Sequence, residues 1–438
     1  MRRRGKRWMV VVAILMGVAA AVVLLRLRRD GYLPTPVTVT AEPAPTSIPL
    51  PTPTAAPTGT VRPSPQPTPV VEPPSADATV APTPRPTRVV LPPEPLALPA
   101  GFVISIYAEG LSGPRMMALD ANGVLYVAER GARRIVRLPD VDGDGVADGI
   151  LPVAVGLNAP SSIAFAPDGS LYVGETTRVL RLSDPDASGS YGVSQVIVSG
   201  LPEGGHNTRT LLFSADGATL FVSVGSSCNV CEERDPRRAA VVAYTPMGEG
   251  ERIYAGGLRN AVGLALRPGT AELWVTNNGR DWLGDDQPPE TIYLIQAGDD
   301  AGWPRCHSGR IVDPEYGYEG ACEGVLSPMV EMQAHTAPLG LTFYAGAAFP
   351  EEYQGDLFVA LHGSWNRSRP VGYQVIRVPV DETGRAMPAV DFVTGWLRED
   401  GTQWGRPVDV LTGADGSLFI SDDGGGRIYR VFYAGASE

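Results

Sequence analysis

Lysine is almost missing from this chain: Lys6 is the only one, and every other cation is arginine. Histidine and cysteine are scarce as well, with four of each. Net positive charge is confined to the start. Eight of the 36 basic residues fall within the first 30 positions, beside one acid. The remainder carries 28 basic against 47 acidic residues, a net of −19. That sign excludes a nucleic-acid partner, because gripping phosphates needs a positive field. No H-x3-H and no second C-x2-C accompanies Cys228-Asn-Val-Cys231, so a zinc site is not assembled. With Cys306 and Cys322 these cysteines read as disulfides of an oxidising compartment. Spacing leaves their pairing open. Beyond residue 100 there is no long 3.6-period amphipathic run, so helix is scarce.

What is present falls into three segments. Residues 9–25 (MVVVAILMGVAAAVVLL) are apolar or small throughout, with five cations before them and three after. Seventeen residues is the lower edge for a spanning helix. The charge bias predicts a cytoplasmic N-terminus and an exported C-terminus. The rival is a cleaved signal peptide, but no cleavage site is evident before Arg26. Residues 1–33 therefore read as a basic segment with a single-pass signal anchor. Residues 34–97 are dense in Pro and Thr, as in PTSIPLPTPTAAPTGT. They cannot bury a core and read as an extended linker. Residues 98–438 read as one all-β domain in a bacterial extracytoplasmic location, periplasmic or at the cell surface.

Within that domain one pattern recurs six times: an apolar segment, a D-G-like turn, then a strand centred on an aromatic. The aromatics are Tyr126, Tyr172, Phe221, Trp274, Phe358 and Phe419. Units apolar on both faces must stack on like units, and a closed ring leaves only short edges. The expected architecture is a six-bladed β-propeller. Residues 101–110 (GFVISIYAEG) are expected to lend a strand to the last blade and close the ring. A seventh blade would have to hide in the long gap between Trp274 and Phe358.

A propeller does not specify chemistry, so function must come from its loops. His206 follows Gly204-Gly205; a histidine in such a loop suits a general base. Arg259-Asn260 pairs a forked cation with an amide, which suits a planar carboxylated ligand. Asn277-Asn278-Gly279-Arg280-Asp281 and the acids after it expose oxygens of the kind calcium prefers. His362-Gly-Ser-Trp365-Asn366-Arg367 and Trp404-Gly405-Arg406-Pro407 complete the set.

In this order, with A-G-W-P at 301–304, H-T-A-P-L-G-L-T-F-Y at 335–344 and D-G-S-L-F-I-S-D-D in the last unit, the motifs resemble the soluble quinoprotein glucose dehydrogenase and sorbosone dehydrogenase family. HGSWNR and the C-x2-C look closer to the sorbosone-type branch. The resemblance implies pyrroloquinoline quinone (PQQ) and Ca2+ as cofactors, and oxidation of a sugar, polyol or aldehyde by hydride transfer to the quinone. His206 would be the catalytic base. Arg259, Asn260, Asn366, Arg367 and Arg406 would contact the cofactor, and backbone oxygens of Gly279 and Arg280 would hold its calcium. An external electron acceptor is implied too. The family's glucose-type members orient the base with an Asp on the following strand. Here that stretch is Val224-Gly225-Ser226-Ser227, leaving Glu232, Glu233 and Asp235 as the nearest acids. The second arginine of the last cofactor loop is Val408 here.

Asp140, Asp142, Asp144 and Asp148 occupy positions 1, 3, 5 and 9 of a calcium-loop pattern, with Gly145 at 6. Leu151 at position 12 excludes an EF-hand. A weak structural calcium site is the expectation, a plain acidic hairpin loop its alternative. For the whole domain two alternatives stand beside the dehydrogenase: a non-enzymatic surface-binding propeller lacking the cofactor, and a calcium-dependent propeller hydrolase.

Overall fold

The computed structural model describes residues 87–435. The expected membrane anchor and most of the Pro-rich linker lie outside the described residues. Among the described residues no helix is long and apolar enough to cross a membrane; the single helical element is a 3-10 turn at Glu351–Tyr353.

Six antiparallel sheets of four main strands follow one another in sequence. Their innermost strands are Pro114–Leu119, Ser162–Phe165, Leu211–Phe213, Ala261–Leu266, Pro338–Phe343 and Pro407–Thr412. The sixth blade takes its outer strand from Phe102–Glu109, which pairs with Arg427–Tyr433. This closes the ring as expected, and removes the free edges an open sheet would carry.

Each of the six aromatics sits on the second strand of its blade and is buried. Each faces a residue of the inner strand: Ala118, Ala164, Leu212, Ala265, Thr342 and Leu411. Several also reach the next blade. Tyr126 meets Phe165 edge-on at 5.0 Å, Tyr172 meets Phe213 at 4.9 Å and Trp274 meets Phe343 at 5.4 Å. Edge-to-face pairs of this kind add about 0.5–1.5 kcal/mol each beyond their buried area. The repeat read in the sequence is thus the blade-to-blade joint.

The long gap before Phe358 holds no seventh blade. Residues 296–329 leave the ring as an excursion with a two-stranded ribbon, Cys306–His307 with Ile311–Val312, tied by a Cys306–Cys322 disulfide. Cys228 and Cys231 form the other disulfide, which accounts for all four cysteines.

Two features position the site. In blades one, four, five and six the inner strand carries a register shift just after it begins. Such bulges bend a strand and re-aim its side chains. Below them Met116, Val262, Leu339 and Val408 meet as an apolar plug. The residues after the plug on each strand line a cavity of about 460 Å³, which includes Asp409. The residues before it form the opposite mouth.

Candidate active site

At that mouth the loop carrying His206 is held by its carbonyls. Arg209 donates to the oxygens of Pro202, His206 and Thr208, and Arg238 to those of Glu203, Gly204 and Gly225. The glycines let this backbone come close. Gly204 and Gly205 both have positive φ. A Cβ on Gly225 would lie 2.5 Å from His206 Cβ and 2.6 Å from Asn260 Oδ1. His206 and Asn260 thus flank a position that must stay bare.

The His206 ring is fixed through one nitrogen. Nδ1 lies 3.1 Å from the Ser226 carbonyl and 2.9 Å from the Ser226 hydroxyl. That hydroxyl gives its own hydrogen to the Cys228 carbonyl at 2.7 Å. Both neighbours of Nδ1 therefore accept, so Nδ1 carries the proton and Nε2 keeps its lone pair. Burial, then Arg259, lowers the ring's pKa from 6.5 to about 4. None of the acids nearest in sequence orients this histidine. Glu232 pairs with Arg305, Glu233 accepts from Ser227 and Asp235 holds Arg237. Ser226 does so instead.

Arg259 and Asn260 begin the fourth blade. Arg259 is buried and occupied: it donates to the Asn229 carbonyl at 2.9 Å and the Asn229 amide oxygen at 3.0 Å, and pairs with Asp281 at 2.8 Å. Asn366 binds the other Asp281 oxygen at 2.9 Å. The Asn260 side-chain oxygen is buried and has no partner. The Arg280 guanidinium turns away to Asp313, which also binds His307. Among the described residues nothing donates to the Gly279 or Arg280 carbonyls, while the Gly279 N–H is taken by Glu290 at 2.6 Å. Burial raises Glu290 to about 7. Arg367 does not join this group; it binds the Asp285 carbonyl, with Asp286 at 3.3 Å.

Arg406 lies on the other side of the mouth, donating to the His362 carbonyl at 3.2 Å. Here the structure adds residues the sequence reading passed over. Asp423 binds His362 Nε2 at 2.8 Å and Arg115 at 2.9 Å. Burial alone would raise Asp423, but His362 and Arg115 hold it near 2. Arg115, Arg130 and Asp423 line a depression of about 720 Å³. A signal for Arg115 existed: it opens the first inner strand as Arg209 and Arg406 precede the third and sixth. Val408, where the resemblance implies a second arginine, is buried in the apolar plug. Arg115 brings a cation to the same side from the first blade.

The arginines crowd one another. Burial and neighbouring arginines lower Arg209 to about 10, and burial with Arg115 lowers Arg130. Neither has a carboxylate bond, and Arg115 Nε and Arg209 Nε are buried without partners. Such a mouth suits a ligand bearing several carboxylates.

Asp140, Asp142 and Asp148 bring carboxylate oxygens within 4.8 Å of one another. Asp144 stays outside that group; its Oδ1 accepts the Val146 N–H. Cys228, Cys231 and Glu233 also converge, but the disulfide leaves no thiolate for a metal.

The profile of the TrAA12-like family matches residues 96–296 and 313–434. An uncharacterised protein of Borreliella burgdorferi is 31% identical over 356 residues, 77% of this chain and 91% of that protein. A PQQ-dependent pyranose dehydrogenase of Coprinopsis cinerea is 26% identical over 402 residues, 76% of this chain; the chain spans 54% of that enzyme. Similar folds are the calcium structure of a Trichoderma reesei AA12 protein and the holo PQQ domain of the Coprinopsis pyranose dehydrogenase. Their TM-scores are 0.69 and 0.68, at 20% and 22% identity, covering 77% and 78% of this chain and 97% and 98% of theirs. These relatives do not single out a sorbosone-type branch. With its six-bladed ring and a profile match over most of its length, the chain belongs to the TrAA12-like family.

Proposed function

We propose that this protein is a PQQ- and calcium-dependent dehydrogenase that oxidises a sugar hydroxyl, with related polyols and aldehydes as further substrates. One observation carries the reading: a neutral His206 with Nε2 free stands near a cluster of arginines, of which the guanidinium groups of Arg130, Arg209 and Arg406 have no carboxylate bond. The family and the named Coprinopsis relative support the same class of reaction.

The residues fit the cofactor. Arg130 and Arg406, with Arg115 beside them on Asp423, would offer cations to its carboxylates, and Asn260 an unmatched amide oxygen. The carbonyls of Gly279 and Arg280 are available to calcium. The bound quinone would supply the two-electron acceptor for the hydride leaving the substrate carbon. His206 Nε2 takes the hydroxyl proton as that hydride departs. Ser226 holds the imidazole, and Arg209 and Arg238 hold its loop. Arg259, bonded to Asn229 and Asp281, keeps the wall rigid and biases the ring toward its neutral form. Turnover would then need an external electron acceptor for the reduced cofactor.

The apolar segment 9–25 would anchor the domain outside the cytoplasm. Two disulfides using all four cysteines support an oxidising compartment. Protease accessibility on intact cells, with and without residues 1–33, tests this placement.

Reconstitution with Ca2+ and PQQ, followed by dye reduction across aldoses, polyols and aldehydes, tests the activity. Cofactor-dependent reduction and a spectral shift on binding are expected. Their joint absence would overturn the reading in favour of a binding propeller.

A further inference from the structure

Trp282 and Trp365 are 65% and 66% exposed. They extend from loops after the second strands of blades four and five and touch edge-to-face, centroids 5.2 Å apart at 86°. Trp274, Trp303 and Trp396 are buried. Trp282 also adopts φ +71°, a conformation rare for a bulky residue. Two large apolar rings displayed together in water, one on strained backbone, mark a surface that meets something.

The pair is built on the active-site wall. Asp281 precedes Trp282 and Asn366 follows Trp365, and these two are bonded at 2.9 Å. The same Asp281 pairs with Arg259, whose carbonyl accepts the N–H of Ser226, the residue orienting His206. Beside the rings the Asn366 amide oxygen is buried without a partner. Asp285 and Asp286 follow on the same loop with Arg367 against them, so the rim carries both signs and selects no net charge in a ligand. An indole face takes the C–H face of a sugar ring, while nearby amide and carboxylate oxygens take hydroxyl hydrogens. Planes at 86° make a corner that seats one ring; they cannot sandwich it.

We propose that Trp282 and Trp365 form a second sugar-binding subsite, which seats the pyranose adjoining the one oxidised at His206. The substrate class is then the end of a glycan chain rather than a free monosaccharide. This rests on the sugar-dehydrogenase reading.

The test uses the full chain with Ca2+ and PQQ, and glucose, cellobiose, cellotetraose, maltose and maltotetraose as probes. At least one series should gain tenfold or more in kcat/KM from monosaccharide to disaccharide. Trp282→Ala and Trp365→Ala should bring that ratio to about one, and the same disaccharide should quench tryptophan fluorescence in the cofactor-free protein. Trp282→Gly, which suits the positive φ, guards against misfolding, and Trp365→Phe should restore part of the ratio. Turnover of glucose with no gain along either series would overturn the subsite and leave the dehydrogenase reading intact. Quenching by the oligosaccharide with no cofactor-dependent turnover would support the subsite and overturn the dehydrogenase. Variants that change only the KM for the electron acceptor would overturn the subsite and make the pair an acceptor-docking face.

Discussion

The Ser226 hydroxyl stands 2.9 Å from Nδ1 of His206 and passes its own hydrogen to the Cys228 carbonyl. A small disulfide loop thereby adds to the Ser226 carbonyl in fixing which nitrogen of His206 is basic. Ser226→Ala leaves the Ser226 carbonyl as the one acceptor on Nδ1. Activity should fall about five- to tenfold, the worth of one neutral hydrogen bond at ~1 kcal/mol, with melting temperature nearly unchanged. Steady-state dye reduction measures it, and unchanged kcat would remove Ser226 from the mechanism.

His206→Ala should retain PQQ binding while kcat falls by about 10²–10⁴, the usual contribution of a general base. With its pKa lowered to about 4, His206 remains a neutral base through weakly acidic solution. In the cofactor-free protein its NMR titration should centre near 4 rather than 6.5. Between those values the unfolded chain binds a proton that the folded chain refuses. Stability is therefore lost as pH falls through that window.

Gly225→Ala places a methyl against both His206 Cβ and Asn260 Oδ1. Both must move, so PQQ affinity and turnover should fall together, by at least tenfold. An absorbance titration with the cofactor separates this from a defect in chemistry alone, which would leave affinity intact.

The disulfides should part company. Cys306–Cys322 spans 16 residues and Cys228–Cys231 only three. Cys306→Ser with Cys322→Ser should cost about 3 kcal/mol on the chain-entropy account, read as a lower melting temperature. Cys228→Ser with Cys231→Ser releases Asn229 and Cys228, which hold Arg259, Asp281 and Ser226. It should reduce activity far more than stability. Equal effects on both properties would contradict this division.

Asp409 lies in the channel beyond the apolar plug, accepting the Met117 N–H at 2.8 Å. Burial raises its pKa to about 7. The folded state favours the protonated acid, so stability present below about 4 is lost as pH rises through 7. Asp409→Asn keeps the acceptor and removes the titration. Its melting temperature should exceed the wild type's at pH 8 by more than at pH 5; a pH-independent difference would refute the assignment.

The ring was legible because a blade must repeat its aromatic and its turn, and repetition survives in one dimension. His206, Asn260 and Arg406 were legible because each sits in a short motif at the start of an inner strand. Asp423 and Arg115 were not, since 308 residues separate partners bonded at 2.9 Å. The stretch 224–227 offers no carboxylate, and spacing cannot show that the Ser226 hydroxyl, bonded onward to a backbone carbonyl, meets His206 there. Arg367 looked like a cofactor contact, yet its loop turns it toward Asp285.

Local chemistry by itself therefore determined the all-β repeat, the closing strand, the acidic balance of the domain and the residues proposed as base and anion clamp. Closure of the ring decided the rest. It chose which arginines share one mouth, with Asp423 bonded to Arg115 among them, which nitrogen of His206 is free, and that two tryptophans 83 positions apart meet in water. Those outcomes depend on contacts between blades, and the physical reason is that distance along the chain carries no information about neighbours across an axis.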